Sequence, residues 1–252
     1  MRLSAAFAAL TVLSQILWVL VSGPHRDLLT AAGVVLFFLA SLTHALATQP
    51  PAWTAKVFGL LLGFGWLVEA VGTTWHVPFG DYTYGGQLGP MLGPVPALIP
   101  LAWAMMGYPC YVVAARVKAS RPGRVALAAA LLATWDLFLD PQMVAEAHWT
   151  FAHPDPGIPG VPGIPLTNFA GWAVAATVLM IGIDRLAGPP PQPVLIRSAP
   201  VALLAWVYLS NVLANAVFFG RPIVAIIGAV GMGIPIAIVA RSLVADARAG
   251  VA

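Results

Sequence analysis

Apolar stretches of about twenty residues, long enough to cross the hydrocarbon core of a bilayer as a helix, recur along this chain. Eight can be placed, roughly at Leu3–Val21, Leu28–Ala47, Ala55–Thr73, Val95–Ala115, Val125–Leu139, Leu166–Leu186, Pro200–Phe219 and Ile223–Leu243. In lipid every backbone polar group must find its partner within the protein, which makes such runs helices. The expected fold is an all-α, polytopic membrane helix bundle of about eight transmembrane helices, one integral membrane domain over residues 1–252. Composition agrees, with 60% hydrophobic and 8% charged residues against about 25% charged in soluble domains. The fifth run looks short, because Pro141 after Asp140 argues for an end there. Arg2 ahead of the first run suggests a signal peptide. The apolar stretch is too long for one, however, and Val21-Ser22-Gly23 is a poor cleavage site.

The basic residues orient the bundle. With the N-terminus inside, inner segments hold Arg2, Lys56, Arg116, Lys118, Arg121, Arg124, Arg185, Arg197, Arg241 and Arg248, and outer segments only Arg26 and Arg221. Ten against two predicts both termini in the cytoplasm, a multi-pass protein of the cell membrane. The loop after span three and the loop between spans five and six then share the extracytoplasmic side. Neither contains Lys or Arg, yet Asp81, Asp140, Glu146 and Asp155 lie in them, with Glu69 and Asp136 just inside. Six of the nine acids gather at one face, and insertion alone does not require that. The net charge of +3 is dispersed, so nothing points to nucleic acid.

Glu69 is the most informative of these. It sits in GLLLGFGWLVEAVGTTW, an apolar helix that opens with Gly59 and Gly63 in GxxxG spacing, a pattern that lets a second helix approach closely. An ionisable group inside a span is costly and marks a candidate site, and no Lys or Arg lies beside it in its span or at that end of the neighbouring spans to pair with it. Trp66 precedes it, and Trp75, His76, Phe79, Asp81, Tyr82 and Tyr84 follow in the loop. Asp81, beside a glycine, also suits a turn.

A second acidic group comes from TWDLFLDP, where Asp136 and Asp140 are four apart and share a helix face, flanked by Trp135 and Phe138. Two carboxyls held close in a low dielectric keep a proton between them, and a retained proton is what a general acid needs. The competing reading makes Asp140 a helix-end group and Asp136 an interhelical hydrogen bonder. Asn168 and Trp172, one turn apart at the start of span six, lie near these acids, and Asn168 could position a water. Asn211 and Asn215 repeat that spacing and suit bonding between helices.

Trp149, Phe151 and the aromatics named above surround the outer acids, and ring faces stabilise a nearby cation. A membrane-interface belt is the bland alternative, sufficient for Trp18, Trp53 and Trp206. His76, His148 and His153 with Glu146 and Asp155 have no helical metal-ligand spacing, so no metal is expected. The sequence has no phosphate loop, no GxSxG and no CxxC, so no cofactor is expected either. Cys110 lies in an apolar run and reads as a small buried hydrophobe. The loop His153–Pro165, HPDPGIPGVPGIP, cannot be helical, and the GMG of Gly231–Gly233 reads as packing.

Taken together, GFGWLVEAVGTTWHVPFGDYTYGGQLGPMLGPVPALIPLAW, WDLFLDP, HWTF and GIPLTNFAGW resemble the membrane-embedded carotenoid hydratase family over roughly Gly59 to Trp172. Its members act on γ-carotene or lycopene ends in bacteria and on bisanhydrobacterioruberin in haloarchaea. The resemblance implies cofactor-free addition of water to the terminal double bond of an acyclic carotenoid end, giving a tertiary alcohol. Glu69, Asp136 and Asp140 would divide the acid and base roles, with Asp81 and Asn168 helping to orient the water. Trp66, Trp75, His76, Phe79, Tyr82, Tyr84, Trp135, Trp149, Asn168 and Trp172 would form the substrate surface. Implied partners are a lipid-dissolved carotenoid, membrane lipids and other enzymes of the same pathway. A carotenoid end-group cyclase and a proton-coupled isoprenoid transporter or flippase are the alternatives.

Overall fold

The computed structural model describes residues 1–118 and 120–248. Its long helices are α1 (Arg2–Leu20), α2 (Pro24–Thr48), α3 (Pro51–Trp75), α4 (Leu98–Val117), α5 (Arg121–Ala145), α6 (Leu166–Leu186), α7 (Ala199–Leu213) and α8 (Pro222–Arg248). A π-helical turn, Ala214–Phe218, prolongs α7, and with it all eight are long and apolar enough to cross a membrane. The protein is a multi-pass membrane helix bundle. Helix α4 is the most deeply buried and packs against α2, α3, α5, α7 and α8. Its sequence, LIPLAWAMMGYPCYVVAARV, is apolar nearly all round, as a helix surrounded by others must be.

The two long loops are joined to each other. Strands β1 (Tyr82–Tyr84), β2 (Met91–Leu92), β3 (Val95–Pro96) and β4 (Trp149–Phe151) form two small sheets. β2 and β3 make a hairpin that delays the start of α4 to Leu98, later than the expected Val95. β1 pairs antiparallel with β4, Tyr82 opposite Phe151 and Tyr84 opposite Trp149. Side chains alternate along a strand, so those four aromatics share the face turned into the bundle. Thr83 and Thr150 look out and are exposed. The pair forms an aromatic roof over one end of the helices.

Several expectations need correction. Gly59 and Gly63 face open space, with no atom within 4 Å of where an added Cβ would stand at either. Within α3 the close approaches are at Gly65, where an added Cβ would lie 2.7 Å from Trp103 Cβ, and at Gly72, where it would lie 2.8 Å from the Tyr82 hydroxyl. Helix α5 does not stop at Asp140 but continues through Pro141 to Ala145. Near a helix end a proline removes only one ladder bond, while continuing buries Asp140, Pro141 and Met143. Among the described residues Asn211 and Asn215 do not bond between helices; each side-chain amide donates to a carbonyl one turn back, Val207 and Asn211 respectively. Trp18 and Trp53 are buried within the protein and donate to Thr30 Oγ1 and the Gly188 carbonyl.

These packing differences give a direct test. Gly65→Ala should lower stability by about 1–3 kcal/mol by overpacking against Trp103. Gly59→Ala and Gly63→Ala should be neutral or stabilising, since alanine is the better helix former by about 1 kcal/mol. Denaturant unfolding in detergent, followed by circular dichroism, reads the difference; equal losses at all three sites would contradict the packing described.

Candidate active site

Glu69 lies on the face of α3 that looks toward α4 and the aromatic roof, and it is 6% exposed. Its Oε2 accepts from the hydroxyls of Tyr82 at 2.5 Å and Tyr84 at 2.6 Å. Its Oε1 accepts from the indole N–H of Trp103 at 2.9 Å. Three neutral donors from two elements therefore converge on one carboxyl, and among the described residues no cation joins them. The two tyrosines alternate with Thr83 on β1, which is why both reach the same oxygen. Burial, and next the negative charge of Glu69, push both phenols well above their ordinary range. They remain protonated donors.

The second group is built by α5 and α6. Asp136 and Asp140, one turn apart, are both buried. The Asn168 side-chain amide at the start of α6 donates to Oδ2 of Asp136 at 3.0 Å and to Oδ2 of Asp140 at short range. Its two N–H bonds thus serve one carboxyl each. Asp136 Oδ1 is buried with no hydrogen-bond partner among the described residues. Arg26 bonds Glu146 at 2.8 Å and lies over the Trp18 ring, and Arg221 bonds the Pro141 carbonyl at 3.0 Å and lies over the Phe219 ring; among the described residues neither pairs with Glu69, Asp136 or Asp140.

Glu69 and Asp140 open onto one cavity of about 510 Å³, and Asn168 lines it with them. Its aromatic wall is continuous. Trp103 stacks on Trp172 with centroids 4.5 Å apart and planes 3° from parallel, and Trp135 meets Trp172 edge-on at 6.1 Å. Phe79, Tyr82, Tyr84, Trp149 and Phe151 extend this wall under the roof. Among the described residues no Lys or Arg lines it.

The structure brings together nine of the fourteen residues singled out from sequence: Glu69, Asp140, Asn168, Phe79, Tyr82, Tyr84, Trp135, Trp149 and Trp172. Asp136 stands one layer behind, reached through Asn168. The other four lie elsewhere. Trp75 is 68% exposed, because six residues past Glu69 carry it roughly 240° around the helix. His76 and Asp81 pair with each other at 3.1 Å on the outer surface. Trp66 is partly exposed and donates to the Leu92 carbonyl, bracing the β2–β3 hairpin.

Trp103 is the main residue missed, although it ends the PALIPLAW segment; an apolar helix gave no sign of which tryptophan would meet Glu69. The wall formed by α1, α2 and α7, including Gln15, Ser210 and Asn211, was also unmarked. Among the described residues no three His, Cys, Asp or Glu side chains cluster as metal ligands would. His148 is fully buried, with its Nε2 3.9 Å from Asp27. Burial holds its imidazole below the ordinary histidine range.

Residues 29–241 match the family described as carotenoid biosynthesis protein. A bisanhydrobacterioruberin hydratase of Haloarcula japonica is similar at 31% identity over 128 residues, which cover 47% of this chain and 42% of that protein. The match therefore spans less than half the length of that relative. No solved structure matches the chain.

The raised phenols make a prediction with a definite sign. Tyrosines of the unfolded chain ionise near pH 10, whereas Tyr82 and Tyr84 keep their protons. Their contribution to stability is thus complete below about pH 10 and is lost as pH rises above it. Ultraviolet titration of the folded protein should give the same phenolate signal in the wild type and in a Tyr82→Phe/Tyr84→Phe variant through that range. A loss of signal in the variant would show that one of them titrates normally.

Proposed function

The chain belongs to the carotenoid biosynthesis protein family, and on that premise we propose that it hydrates the terminal double bond of an acyclic carotenoid end. The observation that carries this reading is that two acidic groups with no cationic partner among the described residues, Glu69 and the Asp140 end of the aspartate pair, face one aromatic cavity. The relative's activity, named as bisanhydrobacterioruberin hydratase, supports it. Lycopene or γ-carotene ends are the proposed substrates, with no cofactor taking part.

We divide the roles by hydrogen bonding. A carboxylate only accepts, so the three donors on Glu69 suit its charged form. Two aspartates joined by one neutral amide, with no counter-ion, hold a proton between them. Asp140, which reaches the cavity, is then the acid, and Asp136 behind it shares the proton and the charge left after transfer. The proton goes to the less substituted alkene carbon. The tertiary cation forms at the other, facing the π-faces of Trp172, Trp135 and the roof. A water between that carbon and Glu69 adds through its oxygen and passes a proton to Glu69, yielding the tertiary alcohol. Glu69 returns the proton to the aspartate pair across the cavity they share, and the cycle is balanced. Asn168 fixes the pair, and Trp103 fixes Glu69.

Ten basic residues against two support a topology with both termini in the cytoplasm of the cell and the site toward the extracytoplasmic side. Other enzymes of the same pathway are the proposed partners for handing over the pigment.

Expression in a lycopene-producing host, followed by mass analysis of the pigment, tests the reaction. The expected product is heavier by one water per reacted end, whereas cyclisation leaves the mass unchanged. Glu69→Gln and Asp140→Asn should each reduce conversion by about 10²-fold or more, the scale of general acid–base catalysis. Asp81→Asn should convert normally. Full conversion by both of the first two variants would end the proposal.

A further inference from the structure

We infer that the seam between α1 and α7 is the polyene-binding portal, through which a rod-like conjugated chain lies half in the cavity and half in the surrounding lipid. The inference rests on the carotenoid reading above for the nature of the chain, and on the shape of the cavity for its path.

The cavity is closed toward the aqueous end. The β1–β4 aromatics and Leu88 cover it there. In depth it follows α4 from Leu98 to Met105 and α7 with its π-turn from Trp206 to Phe218, rises of roughly 10 and 18 Å at 1.5 Å per residue. A molecule long enough to cross a bilayer of about 30 Å cannot be contained in that space and has to leave sideways. One wall lets it. Ile16, Leu20, Leu209 and Leu213 line the cavity and are yet 46%, 74%, 62% and 56% exposed. Residues that face both an internal cavity and the outside mark its mouth, and these belong to α1 and α7.

The seam also carries polar groups that a lipid-facing helix pair does not need. Gln15 Oε1 accepts from the Trp206 indole N–H at 2.6 Å, tying α1 to α7 across the mouth. Ser210 and Asn211 stand beside it on the cavity lining. Polar side chains at membrane depth are costly and mark substrate paths. The π-turn that follows in α7 is of a kind found often at functional sites. The apolar polyene lies along the leucines. The alcohol end formed inside leaves past Gln15, Ser210 and Asn211, which offer its hydroxyl partners that lipid lacks.

The test fills the mouth without touching the carboxyls. Ser210→Trp and Leu213→Trp are compared with Val230→Trp, which stands exposed on α8 outside the cavity lining. Two quantities are read in the lycopene-producing host: the fraction of pigment heavier by one water, and the lycopene absorbance that copurifies with the protein. Both should fall at least tenfold in the first two variants and stay at the wild-type level in Val230→Trp. Should a tryptophan variant fail to fold, an Ile16→Cys/Leu213→Cys protein bridged by a reducible bifunctional thiol reagent replaces it. Its activity and pigment binding should vanish on bridging and return on reduction. Wild-type conversion and binding in Ser210→Trp and Leu213→Trp would overturn the portal and leave hydration standing. Wild-type protein that retains lycopene without gaining water, with retention lost in the two variants, would leave the portal standing and overturn hydration.

Discussion

A carboxyl inside a membrane, held by three uncharged donors, is the interaction on which this structure turns. Burying a polar group is tolerable only when hydrogen bonds within the protein replace those it loses to water. For Glu69 the replacement comes from two phenols and an indole. That demand reaches outward. Tyr82 and Tyr84 arrive because β1 pairs with β4, so two loops far apart in the chain must fold together. Trp103 arrives because α4 occupies the centre. Gly72 is bare because the Tyr82 hydroxyl passes over it.

Carboxyls are treated differently at the other end of the bundle. Asp184 accepts from Arg121 at 2.7 Å and from Arg124 at 2.8 Å, an ordinary way to stabilise a buried acid. Asp136 and Asp140 have the Asn168 amide instead, and Glu69 has neutral donors. Guanidinium groups paired with these carboxyls would fix every acid in its charged form and would repel a carbocation. Arg26 and Arg221 lie over the rings of Trp18 and Phe219 at the cavity's edge and bond Glu146 and a backbone carbonyl, and among the described residues neither pairs with Glu69, Asp136 or Asp140.

Much of this could be read in the sequence. Span length and apolarity located all eight helices, and the isolation of Glu69 and the i, i+4 spacing of Asp136 and Asp140 picked out the acids. What could not be read depends on contacts between distant segments. Strands of three residues in aromatic loops carry no alternation long enough to recognise, so the roof was invisible. Trp75, His76 and Asp81 are close to Glu69 along the chain, but helix rotation turns Trp75 to the surface, and His76 and Asp81 meet each other there. The GxxxG of Gly59 and Gly63 resembled a packing motif, whereas the glycines of α3 with close neighbours, Gly65 and Gly72, have no such spacing. The α1–α7 wall is mostly leucine and valine, which look alike whether they face lipid or a cavity.

The central claim is a division of protons: one held by the aspartate pair, none on Glu69. Infrared spectroscopy of the purified protein in lipid measures this directly, through the carbonyl stretch of protonated carboxylic acids. The account predicts a buried acid band that Asp140→Asn removes or shifts and Glu69→Gln leaves in place. A band that vanishes in Glu69→Gln and survives Asp140→Asn would contradict it.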